Sequence, residues 1–249
     1  MSGHSKWATI KHQKGAKDKA RGKLFAKLIR QVEVAARSGG GELESNATLR
    51  TMYAKARAAS VPLDTIERAI KRGTGELEGV NYESITYEGY APGGVAVLID
   101  VLTDNRNRTG SEIRAVFSKL GGSMAEPGAV GWQFSRAGII LVPGSAGEDD
   151  VMMAALEAGA SDVASDGSFW KVTCEPSDVE DVRSALEEAG IAVESAESTM
   201  VSSTLIEVTS VDDARKVLKV IDALEDHDDV QDVYSNFDIP ESVLDLVEA

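Results

Sequence analysis

Residues 95–102 read Val95-Ala-Val-Leu-Ile-Asp-Val-Leu102, and seven of these eight residues are apolar. Such a run, rich in β-branched residues and without alternation, predicts a strand that is buried on both faces. Residues 82–88 alternate in the manner of a second strand. Ala91-Pro-Gly-Gly94 lies between the two and predicts the turn that joins them. We therefore expect this part of the chain to form a sheet.

The chain that follows the buried strand contains further regular elements. Residues 103–110 are polar, include the turn formers Asp104, Asn105 and Asn107, and predict a loop. A helix is predicted at about 111–120, where Gly121-Gly122 ends it. Residues 130–134 predict another strand.

A second α/β unit is predicted from residue 138 onward. Residues 138–197 give strand, helix, strand, strand, helix and strand, which is the order of the ferredoxin-like split motif. A strand at 204–208, a helix at 211–224 and a strand at 230–237 end the predicted regular structure. Two arrangements fit this pattern: one discontinuous α/β domain with the unit at 138–200 inserted into it, or two consecutive domains.

The N-terminal part of the chain predicts helices only. The first is predicted from Lys23, with a stop at Ser38-Gly-Gly-Gly41. A second helix fits residues 46–60, and a third begins at Pro62 and is expected to stop at Gly73. Three short helices with short links predict a small bundle.

Charge divides the chain sharply at about residue 75. Residues 1–75 hold 16 Lys/Arg and 6 Asp/Glu, a net +10, whereas residues 76–249 hold 10 and 35, a net −25. Residues 2–22 contain three glycines and few large apolar side chains, and they predict a basic arm that is poorly ordered alone. Positive charge concentrated on an acidic protein indicates a site for a polyanion. A solvated basic tail without a partner is the plainer alternative.

The first thirty residues supply the candidate nucleic-acid contacts. Mobile lysines neutralise phosphates but read no bases, so they predict affinity more than sequence specificity. Trp7 could stack on a base, or it could equally pin the arm onto the helical domain. The candidate residues are Lys6, Trp7, Lys11, Lys14, Lys17, Lys19, Arg21, Lys23, Lys27 and Arg30.

Arg106 and Arg108 form a secondary candidate site, because they lie in the polar loop before a predicted helix. There they could bind a phosphate or a carboxylate. The structural alternative is that the loop residues are ordinary turn formers, with Thr109 as the helix cap. The sequence contains no recognition-helix signature, RNP motif or zinc finger, so the choice between DNA and RNA stays open.

The sequence gives little support for a catalytic site or a metal site. The three histidines are scattered, and no glycine-rich motif matches a phosphate-binding fingerprint. Glu225-Asp-His-Asp-Asp229 could hold a divalent ion, but a solvated turn between helix and strand is the simpler interpretation. Cys174, the only cysteine, lies in an apolar stretch and is expected to be a small buried hydrophobe. We predict a non-enzymatic protein without cofactor or metal.

The same composition bears on location. A single cysteine excludes an intrachain disulfide and fits a reducing compartment. No apolar run approaches the roughly 20 residues that span a bilayer. We expect a cytoplasmic protein without a membrane partner, and the sequence does not indicate its oligomeric state.

Four stretches together resemble one known family. They are Ser2-Gly-His-Ser-Lys-Trp7 with Ile10-Lys11, Tyr87-Glu-Gly-Tyr90 with Pro92-Gly-Gly-Val-Ala96, Thr103-Asp-Asn105 with Asn107-Arg108-Thr109, and residues 218–240 with Val233-Tyr-Ser-Asn-Phe-Asp238. On these motifs the chain resembles the YebC/PmpR family over essentially its full length. Ala91 and Met124-Ala-Glu-Pro127 depart from the family's more glycine-rich pattern, which puts only the shape of those two loops in doubt.

The resemblance implies a fold and a function. The fold it implies is α+β, with an N-terminal three-helix domain and two α/β domains, one of them ferredoxin-like and inserted in the other. The domains expected are 1–75, a basic helical domain with the arm; 76–136 with 201–249, a discontinuous α/β domain; and 137–200, the insertion. The function it implies is that of a DNA-binding transcriptional regulator. Mitochondrial members are translational activators of cytochrome oxidase, so a ribosome-associated translation factor that binds ribosomal RNA and relieves stalled synthesis is the alternative.

Overall fold

The computed structural model of the protein describes residues 17–248, and within them the side chains of residues 22–240 and 242–247. The N-terminal part forms three helices, α1 (Lys17–Gly39), α2 (Ala47–Ala58) and α3 (Leu63–Thr74). Their apolar faces bury one core, which includes Leu28, Val32, Leu49, Ala56, Ile66 and Ala69. The predicted bundle is therefore present.

Two ends of these helices differ from the prediction. Helix α1 begins at Lys17 rather than at Lys23, so part of the predicted arm is helical. Gly73 does not stop α3, because the left-handed residue that ends the helix is Gly75, with φ of 86°. Gly73 is instead a contact position, because a Cβ there would collide with the Glu33 carbonyl oxygen of α1.

The first sheet is four-stranded and antiparallel. It contains β1 (Glu83–Tyr90), β2 (Ala96–Thr103), β3 (Ser123–Ala125) and a later strand, β9 (Val230–Ser235), in the order β3-β1-β2-β9. Seven of the eight residues of β2 are buried, which confirms the prediction for the central strand. The turn before it contains Gly93 and Gly94, both with φ of 78°, a conformation that favours glycine.

Helix α4 (Arg106–Lys119) corrects the predicted loop at 103–110. It begins five residues earlier than expected, because the Asn105 side chain caps it by accepting a hydrogen bond from the Arg108 N–H. Thr109, predicted as a cap, is instead a buried residue of the helix. The predicted strand at 130–134 is also wrong, since Gly131–Gln133 form a 3-10 turn before the next strand.

The second sheet belongs to the inserted ferredoxin-like unit. Its elements are β4 (Phe134–Pro143), α5 (Glu148–Glu157), β5 (Asp162–Asp166), β6 (Phe169–Cys174), α6 (Val179–Glu188) and β7 (Ser195–Ser202). The strand order is β5-β6-β4-β7, and all the pairings are antiparallel. This is the βαββαβ arrangement that the sequence predicted.

The chain then returns to the first sheet. It forms β8 (Ile206–Glu207), α7 (Val211–Glu225), β9, β10 (Phe237–Asp238) and a last helix, α8 (Glu241–Glu248), which the sequence analysis did not predict. Helices α4, α7 and α8 pack on one face of the first sheet around Ile99, Phe117 and Ile221. The fold is thus α+β, with one α/β domain inserted in the other.

The limits proposed for these domains need a small adjustment. Residues 136 and 137 lie inside β4, and residues 200 and 201 lie inside β7. We propose that the insertion extends from Phe134 to Ser202, because a boundary within a hydrogen-bonded strand would divide one sheet between two domains.

Candidate nucleic-acid interface

The structure describes only part of the predicted basic surface. Lys6, Trp7, Lys11 and Lys14 lie outside the described residues. Lys17, Lys19 and Arg21 belong to the first turns of α1, where the backbone is described and these side chains are not. The side chains that can be placed are those of Lys23, Lys27 and Arg30.

These three cations contact the turn that follows α7. Lys23 Nζ lies 2.7 Å from the carbonyl oxygen of Asp226, and 3.0 Å from its Oδ1. Lys27 Nζ donates to the carbonyl oxygen of Glu225 at 2.8 Å. The basic stripe of α1 therefore lies against residues 225–229, which we call the acidic turn.

Arg30 makes the third contact of this kind. Its guanidinium donates to the carbonyl oxygen of Asp228 at 2.7 Å and to Asp229 Oδ1 at 2.9 Å. It also lies over the ring of Tyr82, 5.6 Å from the centroid, in a cation–π arrangement. Arg30 thus joins α1 to the α/β part through charge, hydrogen bonds and an aromatic face.

The geometry follows from helix electrostatics. The last carbonyls of a helix have no intrahelical donor, and the C-terminal end carries partial negative charge, which cations stabilise. The i, i+4 and i+7 spacing of Lys23, Lys27 and Arg30 places them on one face of α1, so all three reach the end of α7. Burial lowers the pKa of Lys27, while Glu225 and Asp232 oppose that shift by attraction.

Asp229 is the buried centre of this contact, 5% exposed. Its Oδ2 accepts hydrogen bonds from Arg108 Nη2 at 2.7 Å and from Thr109 Oγ1 at 2.7 Å, while Oδ1 accepts from Arg30. Burial alone would raise the pKa of Asp229, but the hydrogen bonds from Thr109 and Arg108 outweigh it and leave the pKa below its ordinary value. Asp229 is therefore held as a carboxylate.

This arrangement also bears on the secondary site at Arg106 and Arg108. Arg108 is engaged by Asp229 and by Asp104, whose Oδ1 lies 2.9 Å from Nη2. Arg106 is exposed at the first position of α4. Arg108 is thus engaged within the protein while Arg106 is exposed, and Asn105 rather than Thr109 caps the helix.

The divalent-ion interpretation of the acidic turn fits the geometry poorly. Glu112, His227 and Asp229 place possible ligand atoms within 4.8 Å of one another. However, Asp229 already forms ion pairs with two arginines. The Nε2 atom of His227 is hydrogen-bonded to Glu112, and its Nδ1 atom accepts a hydrogen bond from the Asp229 N–H. The segment is a turn between helix and strand, as expected, and it is partly solvated: Asp226 and Asp228 are exposed, whereas Asp229 is buried against α1 and α4.

Other cations of the bundle remain at the surface. Lys55 and Arg57 of α2 and Lys71 of α3 are exposed. We call these three side chains the exposed bundle cations; Lys55 also attracts the Asp232 carboxylate of β9.

Cys174 has the environment of a structural residue. It is 3% exposed and packs in the core of the ferredoxin-like unit. Burial raises the pKa of its thiol, and the nearby Asp178 and Glu175 raise it further. A thiol held protonated in this way is a poor nucleophile.

The sequence analysis did not find the contact between α1 and the acidic turn, although a signal was present. Cations recur on one face of α1, and acids cluster at residues 225–229, so the two segments are complementary. They are about 200 residues apart, and only the fold brings them together.

Within residues 17–248, every helix is too short or too polar to cross a bilayer.

Comparisons with known proteins cover almost the whole chain. A family model described as "TACO1/YebC protein N-terminal domain" matches residues 5–76, and one described as "TACO1/YebC second and third domain" matches residues 82–237. A protein of Rubrobacter xylanophilus is 56% identical over 246 residues, and one of Halothermothrix orenii 53% over 250 residues. The first alignment covers 98% of both chains and the second 99%, and each relative is named "Probable transcriptional regulatory protein".

A solved structure is similar as well. The crystal structure of a conserved hypothetical protein from Aquifex aeolicus superposes with a TM-score of 0.77 at 46% sequence identity. The match covers 92% of this chain and 95% of that chain. The similarity therefore extends to the fold.

Proposed function

The chain belongs to the TACO1/YebC family, whose relatives are named as regulators, and we propose that it is a DNA-binding regulator of transcription that acts through its N-terminal domain. The observation that carries this proposal is the charge division, a net +10 on residues 1–75 against −25 on the rest. Only the first part attracts a phosphate backbone, and the remainder repels it. We propose no catalytic step, and the cytoplasm is the proposed location.

The contacts of α1 suggest an order of events on binding. Lys23, Lys27 and Arg30 are engaged with the acidic turn, so phosphates meet the arm and the exposed bundle cations first. Solvent-exposed ion pairs contribute only about 0–1 kcal/mol each. A polyanion can therefore displace the acidic turn from Lys23 at a small cost in free energy. Displacement from Arg30 costs more, because Arg30 is paired with the buried Asp229.

Binding to ribosomal RNA as a translation factor is the second candidate function. The observation that favours it is the lysine-rich arm, which supplies charge without base-reading side chains and could order on structured RNA as readily as on a duplex. Both candidates use the same cations, so they differ in the polymer and not in the surface.

Competition binding in physiological salt separates the two candidates. Labelled duplex DNA is bound by the full-length protein and challenged with purified ribosomes. The test variant carries Lys6→Gln, Lys11→Gln and Lys14→Gln, and the matched control carries Arg114→Gln, Lys119→Gln and Lys219→Gln, an equal charge change on exposed residues of the α/β part.

The proposed function predicts a DNA complex that survives the ribosomes, that the arm variant weakens and that the control leaves unchanged. Ribosomes that strip the protein from DNA and retain it through the arm lysines would favour the translational function. An arm variant that binds both polymers like the wild type would contradict both candidates.

A further inference from the structure

Trp132 is the most exposed large hydrophobic side chain of residues 22–240 and 242–247, at 73%. It lies in the 3-10 turn Gly131–Gln133, between β3 and β4, where the chain enters the inserted domain. Exposure of an indole this large to water is unfavourable, because aromatic side chains gain most from burial. The backbone of the turn that carries it is nevertheless held in place by hydrogen bonds.

Glu88 is the anchor of that turn. Its carboxylate is 9% exposed and accepts hydrogen bonds from the backbone N–H groups of Gly128, Val130 and Gly131, at 2.7, 2.6 and 2.8 Å. Charge-assisted bonds of this kind are about twice as strong as neutral ones. The backbone on the N-terminal side of Trp132 is therefore held by one buried charge.

The other side of the turn is fixed by Gln133. Its carbonyl oxygen accepts from the Ser203 N–H at 2.8 Å, and its Oε1 accepts from Asn236 Nδ2 at 3.3 Å. Asn236 is itself 1% exposed and accepts a hydrogen bond from the Ala96 N–H. The turn is thus tied to both β2 and the chain that leaves the inserted domain.

The orientation of the indole is fixed as well. Trp132 Nε1 donates to the carbonyl oxygen of Ala129 at 3.1 Å, so the only polar group of the side chain is already satisfied. What the ring offers to a ligand is its aromatic face. A face held in place before binding loses little conformational entropy when it stacks on a flat partner.

The surroundings favour a single planar group over a protein surface. Protein-docking patches are contiguous and apolar over several hundred Å², whereas Trp132 is followed by the polar Gln133, whose carbonyl oxygen is hydrogen-bonded to the exposed, polar Ser203. Residues 126–136 hold one acid, Glu126, and one base, Arg136, so the turn is neutral within an acidic part of the chain. An approaching nucleic acid strand is therefore not repelled locally.

We propose that Trp132 is a stacking platform for an unpaired nucleobase of the nucleic acid that the N-terminal domain holds. The inference rests on the proposed function, because the basic domain supplies the affinity for phosphate that the acidic α/β part lacks. Stacking on an aromatic side chain tolerates any base, so Trp132 selects single-stranded or looped nucleic acid over a fully paired duplex without reading sequence.

The test measures the affinity of the full-length protein for two probes at one salt concentration, a labelled oligouridine and heparin, a polyanion without bases. The variants are Trp132→Ala, Trp132→Phe and Trp132→Leu, with Met153→Ala as the control for loss of an exposed apolar side chain, since Met153 is 61% exposed in α5. Oligothymidine replaces oligouridine in a parallel arm to compare DNA with RNA.

Trp132→Ala is expected to weaken oligouridine binding about 5- to 100-fold, the range for loss of one base–aromatic stack. Trp132→Phe should retain most of the affinity, Trp132→Leu should behave like Ala, and heparin binding and Met153→Ala should be unchanged. Wild-type affinity of Trp132→Ala for oligouridine would overturn the inference, as would full retention by Trp132→Leu or an equal loss for heparin. A wild-type protein that binds neither probe would refute the proposed function itself.

Discussion

Asp229 is the residue on which the contact between the N-terminal helices and the α/β part depends. It binds Arg30 of α1, Arg108 and Thr109 of α4, and its own carboxylate is buried. Hydrogen bonds to a charged group contribute about 1.5–3 kcal/mol, and removal of the charge leaves its partners unsatisfied. We therefore expect the Asp229 side chain to contribute more to stability than any other side chain of the acidic turn.

Asp229→Asn is expected to lower the free energy of unfolding by roughly 2–3 kcal/mol. Urea denaturation of the intact protein at neutral pH measures the change. Asp64→Asn is the control, because Asp64 pairs with Arg68 at an exposed site of α3 where such pairs contribute about 0–1 kcal/mol. Equal effects of the two substitutions would contradict the central role of Asp229.

Glu88 makes a pH-dependent contribution of the same kind. Burial alone would raise the pKa of Glu88, but the backbone N–H groups of Gly128, Val130 and Gly131 outweigh it and leave the pKa below its ordinary value. A depressed folded-state pKa gives stability that is present above the unfolded-state value and is lost as the pH falls through the folded-state value.

Glu88→Gln should therefore destabilise the protein at pH 7, by roughly 2 kcal/mol, and the difference from wild type should shrink below about pH 4. Denaturation curves across that pH range test the sign. A difference that is constant from pH 7 to pH 3 would show that the charge of Glu88 does not hold the turn.

Individual residues were predicted best where one local rule decided their role. The buried strand at 95–102 follows from composition alone, and Cys174 is the small buried hydrophobe expected. Thr109 was predicted as a cap, because Asp, Asn and Thr around 104–109 match turn chemistry. Its partner Asp229 lies 120 positions away, and no local sequence pattern predicts that hydrogen bond.

The α1 helix and the acidic turn form one electrostatic contact between distant elements. Lys27 is close to Glu225 and Asp226, both of which favour its charged form. Removal of those acids leaves the backbone carbonyls in place but weakens the competition with phosphate. We therefore predict that, in the free protein, the acidic turn competes with phosphate for the basic stripe of α1.

The pair Glu225→Gln and Asp226→Asn should tighten binding to heparin and to nucleic acid about three- to tenfold, since each exposed pair is worth up to about 1 kcal/mol. The matched control is Asp149→Asn with Asp150→Asn at the start of α5, which gives the same change in net charge within the inserted domain. Fluorescence anisotropy with one labelled probe compares the three proteins. A control that tightens binding equally would mean that net charge, and not this contact, sets the affinity.

Element boundaries were less predictable than elements. Helix α4 was expected at 111 because residues 103–110 are polar and include the turn formers Asp104, Asn105 and Asn107, but the Asn105 cap and the burial of Thr109 extend it to Arg106. The strand expected at 130–134 is a 3-10 turn, because Glu88 draws three backbone N–H groups of that segment around its carboxylate. At 130–134 a long-range side chain overrides the local pattern, and at α4 the hydrogen bond from Thr109 to Asp229 adds a long-range contact to the local Asn105 cap.

The whole molecule combines a basic helical domain with two acidic α/β domains in one chain. The α+β architecture and the ferredoxin-like insertion were predicted from element order and the family resemblance, and the strand orders confirm them. The basic surface was predicted from charge alone, and its candidate residues remain a prediction. The charge pattern could not reveal that α1 turns three of its cations towards the α/β part, because that depends on the packing of the domains.

The central claim, that the first thirty residues bind a phosphate backbone, is tested most directly by the salt dependence of duplex DNA binding. If six of the nine basic residues neutralise phosphates, the logarithm of the association constant should fall with the logarithm of salt concentration with a slope of about −5. The variant with Lys6→Gln, Lys11→Gln and Lys14→Gln should reduce that slope to between about −2 and −3, while the control at Arg114, Lys119 and Lys219 should keep it. Identical slopes for the arm variant and the wild type would contradict the account, because the arm lysines would then not touch the phosphates.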